Sequence, residues 1–187
     1  MTNDSIPSDI HEVYEPLFHD ICHLHRKWGI FCQLYGSGES TIELLNTSAP
    51  GFFRICEDLL ADDVLLSISR LRDPKTTLGK NNLTLERLVH SIDATRYSQL
   101  TFDVERLLSD VKVKSVFVKA QRDRRIAHAD LSTKLQASLL SSPTRTDVEG
   151  ALQSIRSLMN AVELYFNTPL YVRDVNVACV DYTSPAL

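Results

Sequence analysis

The feature that most limits the fold of this chain is a long central segment, residues 80–142, that contains neither glycine nor proline. An all-β domain needs turns about every 8–12 residues, and glycine and proline are typical of those turns. The segment therefore predicts long helices. Apolar residues make up 43% of the chain and charged residues 24%, which is ordinary for a globular domain and argues against disorder.

Apolar periodicity predicts the helices of the first half of the chain. From Ile10 to Tyr35 an apolar residue recurs every three or four positions, so one continuous helix face should be buried. A short helix is expected over residues 39–46. A third helix, from Pro50 to the breaker Asp73-Pro74, carries apolar residues on more than one face. This pattern predicts that the third helix is the buried centre of a bundle.

The next helices are predicted from their start signals. Thr84 resembles an N-cap, with Leu83 and Leu88 placed as a hydrophobic staple, and that helix should run to about Arg96. Another should begin near Thr101. Residues 112–119 alternate as a strand would, which leaves their state open, although helix is favoured after residue 115.

The last helix is predicted from Thr146 and Glu149, which have the spacing of a capping box, and Pro169 should end it. We therefore expect an all-α bundle of about five to six helices over residues 1–169. The β-branched residues 170–187 would form a separate C-terminal tail, extended in conformation.

Cysteine usage and the absence of targeting signals predict a cytoplasmic protein. None of the four cysteines lies in a Cys-x-x-Cys pair, and each falls in an apolar stretch, which favours buried thiols in a reducing compartment. The first residues lack the basic start and apolar run of a signal peptide. No apolar run approaches the length of a membrane span.

The charge distribution argues for a local rather than a general affinity for nucleic acid. Net charge is −4, yet residues 111–134 carry seven basic side chains against two acidic ones. A local positive patch attracts phosphate even on an acidic protein. The basic residues are Lys112, Lys114, Lys119, Arg122, Arg124, Arg125 and Lys134.

Two groups of polar residues inside the predicted helices are candidate functional sites. His19 and His23 share a helix face at ligand-like spacing, beside Cys22 and His25, but no second cluster completes a tetrahedral metal site. We therefore expect no metal and no cofactor, and solvated or internally satisfied histidines.

The second group is a polar line on the third helix, formed by Asp63, Ser67 and Arg70. Two interpretations remain open for it. It is either an ion pair with a neighbouring helix, since buried charges need partners, or a support that orients catalytic groups.

The pattern with the clearest chemistry is the segment Arg122-Asp123-Arg124-Arg125-Ile126-Ala127-His128. An arginine offers a permanent fork of donors for a phosphate, and a histidine moves protons near neutral pH. Together they suit cleavage of RNA without a metal. Spacing alone also fits a basic, solvated helix face, because five intervening residues place Arg122 and His128 about 120° apart around a straight helix.

The wider sequence context resembles the abortive-infection branch of the HEPN superfamily, whose hallmark is an arginine followed by a histidine after four to six residues. Arg122, Asp123 and His128 match this motif, although Asp123 stands where asparagine is commoner. The supporting segments, in order, are Leu44-Leu45-Asn46 with Ala49-Pro50 and Phe52-Phe53, Leu65 to Leu71 with Asp73-Pro74, Asn82 to Leu85, and Ile126 to Asp130.

The resemblance implies an up-and-down helical bundle, commonly a homodimer, in which two Arg/His motifs share a cleft. It further implies a metal-independent endoribonuclease of phage defence, or a toxin with a cognate antitoxin or nucleotidyltransferase partner. Arg122 and His128 would be catalytic, Asp123 would orient the arginine, and Lys119, Arg124 and Arg125 would guide the RNA. A non-catalytic module for nucleotide or RNA, or a dimer that sequesters a partner, are the alternatives.

Overall fold

The computed structural model describes residues 5–122 and 143–166, and within them the fold is an all-α bundle. The described part contains seven helices, slightly more than expected. We label them α1 to α7: Ser8–Tyr35, Glu39–Ser48, Pro50–Leu71, Leu85–Ser91, Ser98–Lys114, Val116–Gln121 and Arg145–Tyr165. The bounds of α1 agree with the apolar stripe from Ile10 to Tyr35, and α2 begins at the predicted residue 39.

The core lies where the apolar faces of α1, α5 and α7 meet the C-terminal half of α3. The stripe predicted on α1 is buried, with Ile10, Leu17, Ile21 and Leu24 fully inaccessible to solvent. Helix α7 packs most extensively on α5, and α1 packs on α3 and α4. In the described residues no helix combines the length and apolar character that crossing a membrane requires.

The prediction that α3 is the buried centre of the bundle is wrong for its N-terminal half. Phe52, Ile55 and Leu59 are 61–64% exposed, whereas Val64, Leu65 and Ile68 are buried. The reason is that α3 is longer than the core it packs against. Its first turns extend beyond that core, where α2 and the last turn of α1 contact them on one side, with Tyr35 donating to the Phe53 carbonyl.

Thr84 caps α4 as predicted, because its side chain accepts a hydrogen bond from the Arg87 backbone N–H. The predicted loop before it contains a two-residue-per-strand hairpin, Thr76–Thr77 with Lys80–Asn81. Helix α4 ends at Ser91, earlier than the predicted Arg96, and α5 starts at Ser98 rather than near Thr101. Asp93 causes the early end, because its carboxylate accepts hydrogen bonds from Thr95 and so forms a turn.

The last helix begins one residue before the predicted cap. Thr144, not Thr146, is the N-cap of α7, and it forms a capping box with Asp147 rather than with Glu149. The prediction was wrong because an aspartate at the third helical position also reaches back to the cap. Glu149 instead pairs with Arg145 one turn away. Helix α7 ends at Tyr165; Pro169 and the predicted tail, 170–187, lie outside the described residues.

Candidate functional site around Arg122

The stretch with strand-like alternation is helical on both sides of a break at Ser115. Its buried hydroxyl donates to the Val111 carbonyl, and the backbone turns there from α5 into α6. Hydroxyl groups that bond back to the preceding turn compete with the helix ladder. The break lets α6 leave the direction of α5 and pack against α3.

Arg72, just after α3, secures this junction. Its guanidinium donates to the carbonyls of Ser115 (3.1 Å) and Lys112 (3.4 Å), which lie at the C-terminal end of α5. Terminal carbonyls lack partners within their own helix, and a cation is favourable at that negative end. The C-terminal end of α3 is thereby tied to the start of α6.

The segment after α3 is held by α4 as well. The Glu86 carboxylate accepts from the Lys75 backbone N–H at 2.7 Å and pairs with Lys112 at 3.4 Å. These interactions, the backbone hydrogen bond first, lower the pKa of Glu86. From the same helix, Arg87 donates to the Lys75 carbonyl at 2.6 Å. Asp73 therefore lies on a segment that is fixed from two sides.

Arg122 follows α6 directly and reaches back to the end of α3. Its Nη1 lies 3.2 Å from Ser69 Oγ and 3.2 Å from Asp73 Oδ1. Ser69 is buried, while the Arg122 side chain is 31% exposed and that of Asp73 is 37% exposed. The guanidinium is thus oriented by α3 and still accessible from solvent.

Asp73 and Ser69 are contacts that sequence reasoning did not identify. Local patterns indicate only that Asp73 belongs to a helix breaker and that Ser69 lies on a largely apolar helix. Their presence in the segments that resemble the HEPN superfamily was the available signal. Linear spacing does not reveal that α6 returns to this end of α3.

Of the three residues predicted to guide the RNA, Lys119 is the one that the structure describes. It is exposed on α6, one turn before Arg122, and forms no ion pair with any described residue. Residues Asp123, Arg124, Arg125 and His128 lie outside the described residues.

The predicted supporting line, Asp63, Ser67 and Arg70, lies on a neighbouring face of α3. Asp63 forms an ion pair with Lys27 of α1 at 2.5 Å. Ser67 and Arg70 border a cleft between α1 and α3 that also contains His19 and His23. The contacts found for Arg122 on α3 are to Ser69 and Asp73 instead.

The histidines of α1 are arranged in two different ways. His19 and His23 are exposed, and His25 is buried. Burial, followed by the charge of Arg156, lowers the pKa of His25 to about 4, so its ring is neutral at physiological pH. In the described residues no group of three or more metal-ligating side chains converges.

Comparison with known proteins agrees with this architecture. The HEPN family model described as AbiU2 matches residues 8–174, which is most of the chain. No curated protein and no solved structure matches this chain. The match covers all seven described helices and the complete segment from Arg122 to His128. The chain therefore belongs to the AbiU2 family, within the abortive-infection branch of HEPN proteins.

Proposed function

We propose that this protein is a metal-independent endoribonuclease that acts in abortive infection. The observation that carries the proposal is the position of Arg122. It is the first residue of the Arg/His motif, and it is oriented by Asp73 and Ser69 while remaining partly exposed. Family membership supports a role in abortive infection.

The proposed reaction is attack of a ribose 2′-oxygen on the adjacent phosphorus. The bond from phosphorus to the 5′-oxygen breaks, which leaves a cyclic 2′,3′-phosphate and a 5′-hydroxyl. His128 accepts the 2′-hydroxyl proton or donates one to the leaving oxygen. Arg122 stabilises the charge that develops on the phosphoryl oxygens. The need for a 2′-hydroxyl restricts the substrate to RNA.

Asp73 is proposed to orient Arg122, a role that the resemblance also implies for Asp123. A carboxylate at 3.2 Å restricts the rotamers of Arg122 and directs the rest of its fork. The same carboxylate competes with phosphate for the guanidinium. Asp73 is therefore proposed to position Arg122, and Lys119, with Arg124 and Arg125, to attract the RNA backbone.

A second copy of the chain is the proposed partner. The exposed residues Phe52, Ile55 and Leu59 follow one another by three and four positions, and Asp62 and the partly exposed Leu66 continue the row. Ser69, the next position along this face, is buried beneath Arg122, and Asp73 follows just after the helix end. A copy packed along this face would bring its own motif toward Arg122, which suits a shared cleft.

The test is cleavage of single-stranded RNA by the purified protein in EDTA. We expect cleavage with cyclic phosphate ends, lowered by about 10²–10⁴-fold in His128→Ala and by about 10²–10³-fold in Arg122→Ala. Arg106→Ala is the matched control, since Arg106 is an exposed arginine on α5. Full activity of both motif variants, or activity that needs a divalent metal, would contradict the proposal.

The main alternative is a non-catalytic module that binds RNA or nucleotide through the same residues. The ion pair between Arg122 and Asp73 favours it, because a paired guanidinium is a weaker stabiliser of new charge. Binding of RNA without cleavage by the wild-type protein would support this alternative.

A toxin role makes a separate claim about the cell. We propose that the protein works in the cytoplasm, and that a cognate antitoxin or nucleotidyltransferase restrains it. Growth arrest on expression, relieved by a neighbouring gene product and absent in His128→Ala, would support that claim. Expression without any effect on growth would count against it.

A further inference from the structure

The face of α3 beside Arg122 borders a second polar cleft. It lies between α1 and α3 and encloses about 300 Å³. Its lining combines polar side chains of both helices with two leucines: His19, Asp20, His23, Lys27, Ser67, Arg70, Leu71 and Leu83. The Arg122 contacts lie on the adjacent face of the same helix.

The hydrogen-bonding groups of this cleft are largely unused within the fold. Arg70, Ser67, His19 and His23 form no side-chain hydrogen bond and no ion pair with another described residue. His19 makes only an edge contact with the ring of Phe18. Four side chains that can donate therefore line one cleft, and none of them donates to an acceptor of the described residues.

The cation of the cleft that no described carboxylate pairs with is Arg70. Lys27 is neutralised by Asp63 at 2.5 Å, but Arg70 has no counter-ion among the described residues. Asp20 is the acidic residue of the lining. An arginine fork flanked by a hydroxyl and two imidazoles matches the several acceptor oxygens of a phosphate.

We propose that this cleft is a phosphate subsite that binds the RNA strand next to the cleaved bond. Ser69, which binds Arg122, and Arg70, which faces the cleft, are consecutive residues with α carbons about 3.8 Å apart. Their side chains point about 100° apart around the helix, so a strand that passes between the two sides of α3 would place one phosphate at Arg122 and a nearby one at Arg70. This inference rests on the proposed nuclease function for its substrate.

The test measures binding of a short, fluorescein-labelled 2′-O-methyl oligoribonucleotide, which lacks the attacking hydroxyl and is not cut. In Arg70→Ala we expect the Kd to rise about tenfold, as for loss of a charged hydrogen bond. For single strands each neutralised phosphate contributes about 0.7 to the slope of log K against log salt. That slope should therefore fall by about 0.7, and Arg106→Ala should leave both values unchanged.

Arg70→Lys separates substrate contact from a structural role. A lysine keeps one phosphate contact, so it should restore the salt slope, although it lacks the fork of arginine. If Arg70 is merely structural, Arg70→Ala lowers the melting temperature and leaves the salt slope as it is in the wild type. That result overturns the subsite.

Cleavage assays distinguish failure of the subsite from failure of the nuclease. A subsite predicts that Arg70→Ala raises KM and leaves kcat unchanged at saturation. An active wild type whose KM, Kd and salt slope are indifferent to Arg70 overturns the subsite alone. A wild type that cuts no RNA, yet binds it with an Arg70-dependent salt slope, overturns the nuclease and supports the subsite.

Discussion

At the scale of single residues, His25 is the buried ionisable group whose pH dependence is best defined. It is 6% exposed, and its Nε2 has no hydrogen-bond partner among the described residues. Burial, and next the charge of Arg156, lower its pKa to about 4. The unfolded chain takes up a proton at this residue near pH 6.5, whereas the folded protein does so only near pH 4. The contribution of His25 to the free energy of unfolding is therefore fully present above pH 6.5, and it is lost as the pH falls toward 4.

We predict that His25 accounts for a loss of roughly 2–3 kcal/mol in the free energy of unfolding between pH 7 and pH 4. His25→Gln, which does not titrate, should show a smaller loss over that range. Urea unfolding at both pH values measures the difference. His11→Gln is the control, because His11 is half exposed and faces Glu15 on α1. An equal acid loss in His25→Gln and the wild type would show the prediction wrong.

At the scale of helices and strands, the start of α7 depends on one cap. Thr144 Oγ1 accepts from the Asp147 N–H at 3.2 Å, and Asp147 Oδ2 accepts from the Thr144 N–H at 2.8 Å. The Thr144 hydroxyl also donates to Asp147 Oδ2 at 2.7 Å, and this bond, followed by the one from the Thr144 N–H, lowers the pKa of Asp147. Helix α7 supplies much of the core, so a frayed start would loosen its packing on α5.

We predict that Thr144→Ala lowers the free energy of unfolding by about 1 kcal/mol, the usual cost of a lost threonine cap. Thr146 lies inside the first turn, so Thr146→Ala should change the free energy of unfolding by no more than about 0.5 kcal/mol. Chemical denaturation of the two variants distinguishes the cap seen in the structure from the one expected from spacing. A larger effect at Thr146 would reverse that assignment.

At the scale of the whole molecule, the exposed row on α3 is the surface that favours a second copy. Leu44 on α2 adds a further large apolar side chain, 63% exposed. A surface with several exposed large apolar side chains commonly marks an interface. A two-fold axis across it would use the same patch on both protomers.

We predict that the wild type is a dimer and that Leu59→Glu is a monomer, as measured by light scattering on a sizing column. The charge would be placed at the centre of an apolar interface, where it loses its water. Val113→Glu is the matched control, because Val113 is 71% exposed and belongs to α5 rather than to α3. A monomeric wild type, or a dimeric Leu59→Glu protein, would exclude this interface. With a shared cleft, loss of the dimer should also abolish cleavage.

The sequence by itself determined the all-α class, the helix α1 from its stripe, the cap at Thr84 and the family resemblance. These features depend on local periodicity and on short-range hydrogen bonds, which are written in neighbouring residues. The Arg122 to His128 motif was also visible, and its catalytic role stays a prediction.

The tertiary structure alone decided which parts of α3 are buried and what Arg122 contacts. Apolar residues on several faces look the same whether or not another helix covers them, so Phe52 and Ile55 were placed inside. The alternation at residues 112–119 did not produce a strand, since α5 packs on α7 and the break at Ser115 turns α6 onto α3. Asp73 and Ser69 reach Arg122 across about fifty residues of chain, a distance over which no local pattern specifies a contact.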